Sequence, residues 1–180
     1  MKLSKLALGV TLAAVLSAPV WAQEEAAEID LSQDSADVAV NSQFGQWVVS
    51  CQAVTVSSNV CRLVQEQVLR ESNVLVARFI VQPVEDDAAI MLAQVPGEVF
   101  LAGGAVYRLE GDEEAPQREM VWQRCMGNIC EAAIVLEADE LAAMDEAGAI
   151  LFGYRMEPAS EPIVTLVDLQ EFTTGLNALR

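Results

Sequence analysis

Residues 124–132 read RCMGNICEA, and the spacing of the two cysteines in this stretch decides the fold class. If Gly127 and Asn128 form a two-residue turn, Met126 faces Ile129 as a hydrogen-bonded pair of an antiparallel hairpin. Cys125 then faces Cys130 at the next, non-hydrogen-bonded position, where Cα atoms stand about 4.5 Å apart and a disulfide can close. One step further back, Arg124 falls opposite Glu131, an opposite-charge cross-strand pair. Turn, bridge and charges therefore agree on one register. A thioredoxin-type couple needs two residues between its cysteines, and a zinc cluster needs short paired spacings and reduced thiols, so neither chemistry is expected at Cys125 and Cys130.

The chain has two further cysteines, Cys51 and Cys61. They lie in FGQWVVSC (44–51) and VCRLVQEQVL (60–69), two segments rich in β-branched and aromatic residues that flank a Ser/Asn-containing connection. This is a second hairpin pattern, and a Cys51–Cys61 bridge would close it in the same manner. An even cysteine count fits an oxidising compartment. The N-terminus agrees. Lys2 and Lys5, the apolar run Leu6 to Ala18, and Val20-Trp21-Ala22 before an acidic stretch read as an export signal over residues 1–22. The apolar run is short for a membrane span, so no integral span is expected after cleavage.

Residues 23–43 carry six acids and no base or aromatic, a composition expected to form a disordered acidic leader. The folded domain is expected over 44–180. Both lysines lie in the signal, so the exported chain has eight basic residues, all Arg, against 27 Asp plus Glu. It has no His. Catalysis and metal binding through imidazole, Schiff-base chemistry and a Walker-type phosphate grip are thereby excluded. The acidic surface also argues against nucleic acid as a partner.

After the second hairpin comes VLVARFIV (74–81), in which Leu75, Ala77, Phe79 and Val81 share one face. Short strand-like runs follow at Ile90–Val95, Val99–Ala102, Val106–Leu109, Met120–Cys125, Ile129–Glu137, Ile150–Met156 and Ile163–Val167, separated by Pro-Gly, Gly-Gly, Gly-Asn and acidic turns. The expected fold is an all-β single domain, a sandwich or barrel-like arrangement of about eight to ten short antiparallel strands. A short helix is expected near 139–147, where Leu141 and Met144 share a face and Gly148 supplies a stop. A C-terminal helix is expected near 169–179, with Leu169, Phe172, Leu176 and Leu179 packed on the sheet. Trp47, Trp122, Phe44, Phe79, Phe100 and Phe152 read as core. The tips Glu85-Asp86-Asp87 and Asp112-Glu113-Glu114 lack the alternating ligands of an EF-hand and read as solvated loops.

Four words in order, FGQWVVSC (44–51), CRLVQEQ (61–67), RCMGNICEA (124–132) and IVTLVDLQEFTTGLNAL (163–179), resemble the invasion-associated locus B family over roughly residues 44–179. Glu171 stands where the family usually has Gly, and Gln46 where Asp is common. The resemblance implies a small exported envelope β protein without catalytic residues, cofactor or metal, located in the periplasm or at the outer envelope. Its partner would be an envelope protein or, as for members associated with host invasion in intracellular pathogens, a host-cell surface. The competing expectation is a periplasmic small-molecule, cation-binding or envelope-stress protein.

Overall fold

The computed structural model describes residues 38–56, 58–85, 87–111 and 116–180. The expected signal, most of the acidic leader and the tip 112–114 lie outside the described residues. Ten strands run in the order β1 (Gln43–Phe44), β2 (Trp47–Ala53), β3 (Asn59–Leu69), β4 (Val74–Pro83), β5 (Ala89–Pro96), β6 (Ala105–Leu109), β7 (Arg118–Met126), β8 (Ile129–Leu136), β9 (Ala149–Tyr154) and β10 (Ile163–Asp168). Helix α1 (Ala138–Ala147) follows β8, and helix α2 (Phe172–Ala178) ends the chain. All strand pairings are antiparallel, in a sheet of order β1-β2-β3-β4-β5-β8-β7-β6-β9-β10.

Alternation along the strands decides which face is buried. In β4, Ala77, Phe79 and Val81 are fully buried; in β5, Ala89, Met91, Ala93 and Val95 point the same way. The sheet coils so that its two halves pack across this face. Phe79 of β4 meets Phe152 of β9 edge to face, with ring centroids 5.0 Å apart, a favoured aromatic geometry. The Tyr154 hydroxyl donates to the Val76 carbonyl at 3.0 Å. Val76 is the residue skipped where the β3–β4 register shifts at Gln67/Val68, so the phenol satisfies a carbonyl at a bulge. The result is the expected all-β, barrel-like class.

The expected elements shift in three places. FGQWVVSC is a strand pair around a turn, because Gly45 adopts φ +58° and brings Phe44 opposite Trp47. The chain is already tied before Phe44: Asn41 N–H donates to Val49 O, and Val49 N–H to Ser42 O. The strand expected at Val99–Ala102 is instead a single 3-10 turn over Leu101–Gly103, closed by Gly103 N–H to Phe100 O and ended by Gly104 at φ +69°. Helix α2 starts at Phe172 because Glu171, at φ +60°, cannot continue a helix backwards to Leu169. Leu169 and Leu179 are nevertheless buried. Helix α1 buries Leu141 and Met144 and stops at Gly148, which is left-handed and donates to Met144 O, as its sequence predicts. Among the described residues no helix is long and apolar enough to cross a membrane.

Candidate functional site

Both hairpin bridges form. Cys51 pairs with Cys61 and Cys125 with Cys130, each with Cα atoms 4.0 Å apart, and no cysteine is free. The β7–β8 register holds Met126 opposite Ile129, Cys125 opposite Cys130 and Arg124 opposite Glu131. Arg124 Nε lies 3.5 Å from Glu131 Oε1. Two residues of β7 oppose one of β8 just before this, between Trp122 and Arg124. The bridges thus sit at strand ends as staples, with no thiolate left for chemistry.

The first and last of the four sequence words meet in space. Trp47 is fully buried, packs against Phe172 at a tilt of 43° with ring centroids 4.9 Å apart, and donates its indole N–H to the Asp168 carbonyl at 3.0 Å. Gly45 N–H donates to Glu171 Oε2 at 2.7 Å. Gln65, 3% exposed, adds a second donor to the Asp168 carbonyl. Phe44 presses on Gly175, where an added Cβ would stand 2.8 Å from the ring. The motif Phe-Gly-x-Trp is therefore a clasp between the N-terminal turn and the C-terminal helix. Spacing along the sequence gives no sign of this, because the two halves of the clasp are more than 120 residues apart.

A second polar cluster lies under α1. The Tyr107 hydroxyl, on fully buried β6 side chain, donates to Glu140 Oε1, while Arg118 Nη2 lies 2.8 Å from Glu140 Oε2. Burial, then the hydrogen bond to Glu140 and its charge, push the Tyr107 phenol well above its ordinary range. Burial alone raises Tyr154. Neither phenol is a ready base or nucleophile at neutral pH, and the Tyr107 cluster reads as a fastener holding α1 on β6 and β7. Glu140 was legible only as an acid in the first turn of a helix.

The outer face of the sheet has a different organisation. Register aligns Val48, Val64, Ile80, Leu92, Ala133 and Val121 in one row across six strands. All six point away from the core, and Val121 is 65% exposed. The row on one flank is Glu66, Arg78, Gln94, Glu131 and Arg124. It is zipped by Arg78 Nε to Glu66 Oε1 at 2.7 Å and Gln94 Nε2 to Glu131 Oε2 at 2.9 Å. An apolar stripe bordered by a self-satisfied polar ladder can contact another surface without stranding a charge. Sequence reading finds the outward alternation in each strand; it cannot find the row, which depends on β8 inserting beside β5.

Of the acidic tip at 85–87, Asp86 lies outside the described residues, and Asp87 is held by Arg180, whose Nη1 lies 3.3 Å from Asp87 Oδ1 and whose Nη2 donates to Asp87 O at 2.6 Å. Among the described residues no group of three His, Cys, Asp or Glu side chains is placed to hold a metal. Of the aromatic residues expected in the core, Trp47, Phe79 and Phe152 are fully buried, while Phe44, Phe100 and Trp122 are half-buried.

None of the curated proteins matches the chain. Among solved structures it is similar to the crystal structure of invasion associated protein B from Bartonella henselae, with a TM-score of 0.67 and 19% sequence identity. The match covers 78% of this chain and 95% of that one, and it supports the fold. The family model for invasion associated locus B (IalB) protein matches residues 47–180, which is most of the chain and holds Trp47, both bridges and α2. The chain belongs to the invasion associated locus B family.

Proposed function

We propose that the protein is exported to the periplasm or outer envelope of a bacterium and acts there without catalysis, by binding a protein partner of the envelope or of a host-cell surface. The observation that carries this reading is the pair of hairpin disulfides, Cys51–Cys61 and Cys125–Cys130, with no cysteine left free. Disulfides of this kind persist in oxidising compartments, and the signal-like N-terminus supplies a route there. The lack of His, and of Lys outside residues 2 and 5, removes most acid–base and nucleophilic machinery. The outer row from Val48 to Val121 supports contact through the sheet face.

Two measurements test the reading. Disulfide-intact protein should bind envelope fractions or host cells saturably, and Val121→Asp, an exposed position, should weaken that binding at least tenfold while leaving the fold intact. Linear, non-saturable retention on both, together with an unaltered phenotype of a deletion strain, would sink it.

A further inference from the structure

A cleft of about 490 Å³ lies between the β3–β4 hairpin and the start of β10. Val68, Leu69, Val74 and Leu75 line it on the hairpin side, and Ile163 and Val164 on the other. Its cause is local. Strands β3 and β4 change register at Gln67/Val68, which leaves Val76 unpaired on β4, and the buried Tyr154 reaches across to the Val76 carbonyl. A bulge bends its strand, and the hairpin beyond it leaves the core: Val68, Leu69 and Val74 are exposed, whereas Ala77 and Phe79 on the other side of the bulge are fully buried.

The chemistry of the lining sets this cleft apart. No Asp, Glu or Arg is among the described residues that line it, in a chain with 27 acids and a net charge of −17. The grooves of the outer face differ, since Arg62, Glu66 and Arg78 line one and Glu119, Arg124 and Glu131 another. A concave, mostly apolar site of this size with few polar groups is the usual form of a small-molecule site. Gln67 and Thr165 are its polar side chains besides Tyr154, whose hydroxyl is engaged by Val76. An inserted peptide would bury amides with too few partners; a hydrocarbon chain needs none. An anionic head would find no cation in the lining. The segments adjoining it carry Glu71, Glu98, Glu157 and Glu161 against Arg70 and Arg155, and Arg155 already donates to the Ser160 carbonyl. The local field therefore repels a carboxylate or sulfate.

We propose that this cleft binds the hydrocarbon chain of an amphiphile whose head is uncharged or zwitterionic. The chain lies between the hairpin wall and β10, and the head stays in solvent at the rim. The site is separate from the outer row of the sheet and does not depend on a protein partner.

Calorimetric titration of the disulfide-intact protein with octyl, nonyl and decyl maltoside, each below its micelle concentration, tests this. The expected result is saturable one-to-one binding whose affinity rises at least twofold, and up to about fourfold, with each added methylene, as burial of a CH₂ group requires. Decyl sulfate should bind at least tenfold more weakly than decyl maltoside. Val74→Asp, at an exposed position of the wall, and Thr165→Phe, which fills the cleft, should each weaken decyl maltoside at least tenfold with an unchanged circular dichroism spectrum. Val54→Asp makes the same charge change on the β2–β3 connection and should leave the affinity as it is. Phosphatidylcholine vesicles distinguish the sources of the chain: retention on them that Thr165→Phe abolishes identifies a membrane lipid, and maltoside binding without retention identifies a free amphiphile. Absence of saturable binding, an affinity independent of chain length, or decyl sulfate binding as tightly as the maltoside overturns the proposal. Binding that survives both cleft variants, or that Val54→Asp weakens equally, overturns it as well.

Discussion

Gly45 turns the chain at φ +58°, and a Cβ placed there would stand 2.2 Å from the Gln170 carbonyl oxygen. Gly45→Ala therefore meets both left-handed strain and a backbone clash, and should cost about 3 kcal/mol in chemical denaturation. Gly175 offers the opposite intuition. It lies inside α2, where Ala would ordinarily gain about 1 kcal/mol, yet its Cβ would meet the Phe44 ring at 2.8 Å. Overpacking of about 1–3 kcal/mol should win, so Gly175→Ala should lower the denaturation midpoint. Glu171 explains a departure from the family pattern: its φ of +60° is the conformation that favours Gly, and its carboxylate offsets part of the strain by accepting the Gly45 N–H. Tyr107 gives a pH signature. Its folded-state phenol titrates above the ordinary value of 10.0, so the unfolded chain loses this proton first. Its contribution to stability is whole below about pH 10 and declines as pH rises further. Tyr107→Phe should flatten the alkaline fall of the unfolding free energy relative to wild type, and an unchanged slope would count against the assignment.

At the scale of elements, the β7–β8 hairpin was legible because three independent local signals, the Gly-Asn turn, the cysteine spacing and the Arg124–Glu131 charges, fix one register. Helix α1 was legible for a similar reason, since Leu141, Met144 and Gly148 are its face and its stop. The start of β2 was not: Phe44 and Trp47 are both good strand residues, and only the contact with Gln170 and Glu171 shows why Gly45 must turn between them. The stretch around Phe100 is not a strand although Val99 to Ala102 is a continuous apolar run, because the paired Gly103 and Gly104 close a tight turn there. The hairpin bridge has a definite expected contribution. Removing it with Cys125→Ala/Cys130→Ala should cost about 2 kcal/mol, the loop-closure entropy of so short a span. Guanidinium unfolding monitored by circular dichroism measures this, and a loss near zero would mean that turn and packing hold the hairpin unaided.

At the scale of the molecule, fold class and staples could be read from the chain, but strand order could not. Placing β8 between β5 and β7, and β9 between β6 and β10, depends on burying a common face and carries no local sequence signal. The clasp of Trp47 on Phe172 and the outer row from Val48 to Val121 are consequences of that order. The same is true of the candidate contact surface, whose apolar members are unremarkable until register aligns them. The two local bridges and the proposed export stand or fall together. Non-reducing peptide mapping of the protein recovered from its native cell fraction examines both at once. The expected result is periplasmic or surface material beginning after Ala22, with Cys51 linked to Cys61 and Cys125 linked to Cys130. Reduced cysteines in cytoplasmic protein with an intact N-terminus, or a peptide joining Cys51 to Cys125 or Cys130, would contradict it.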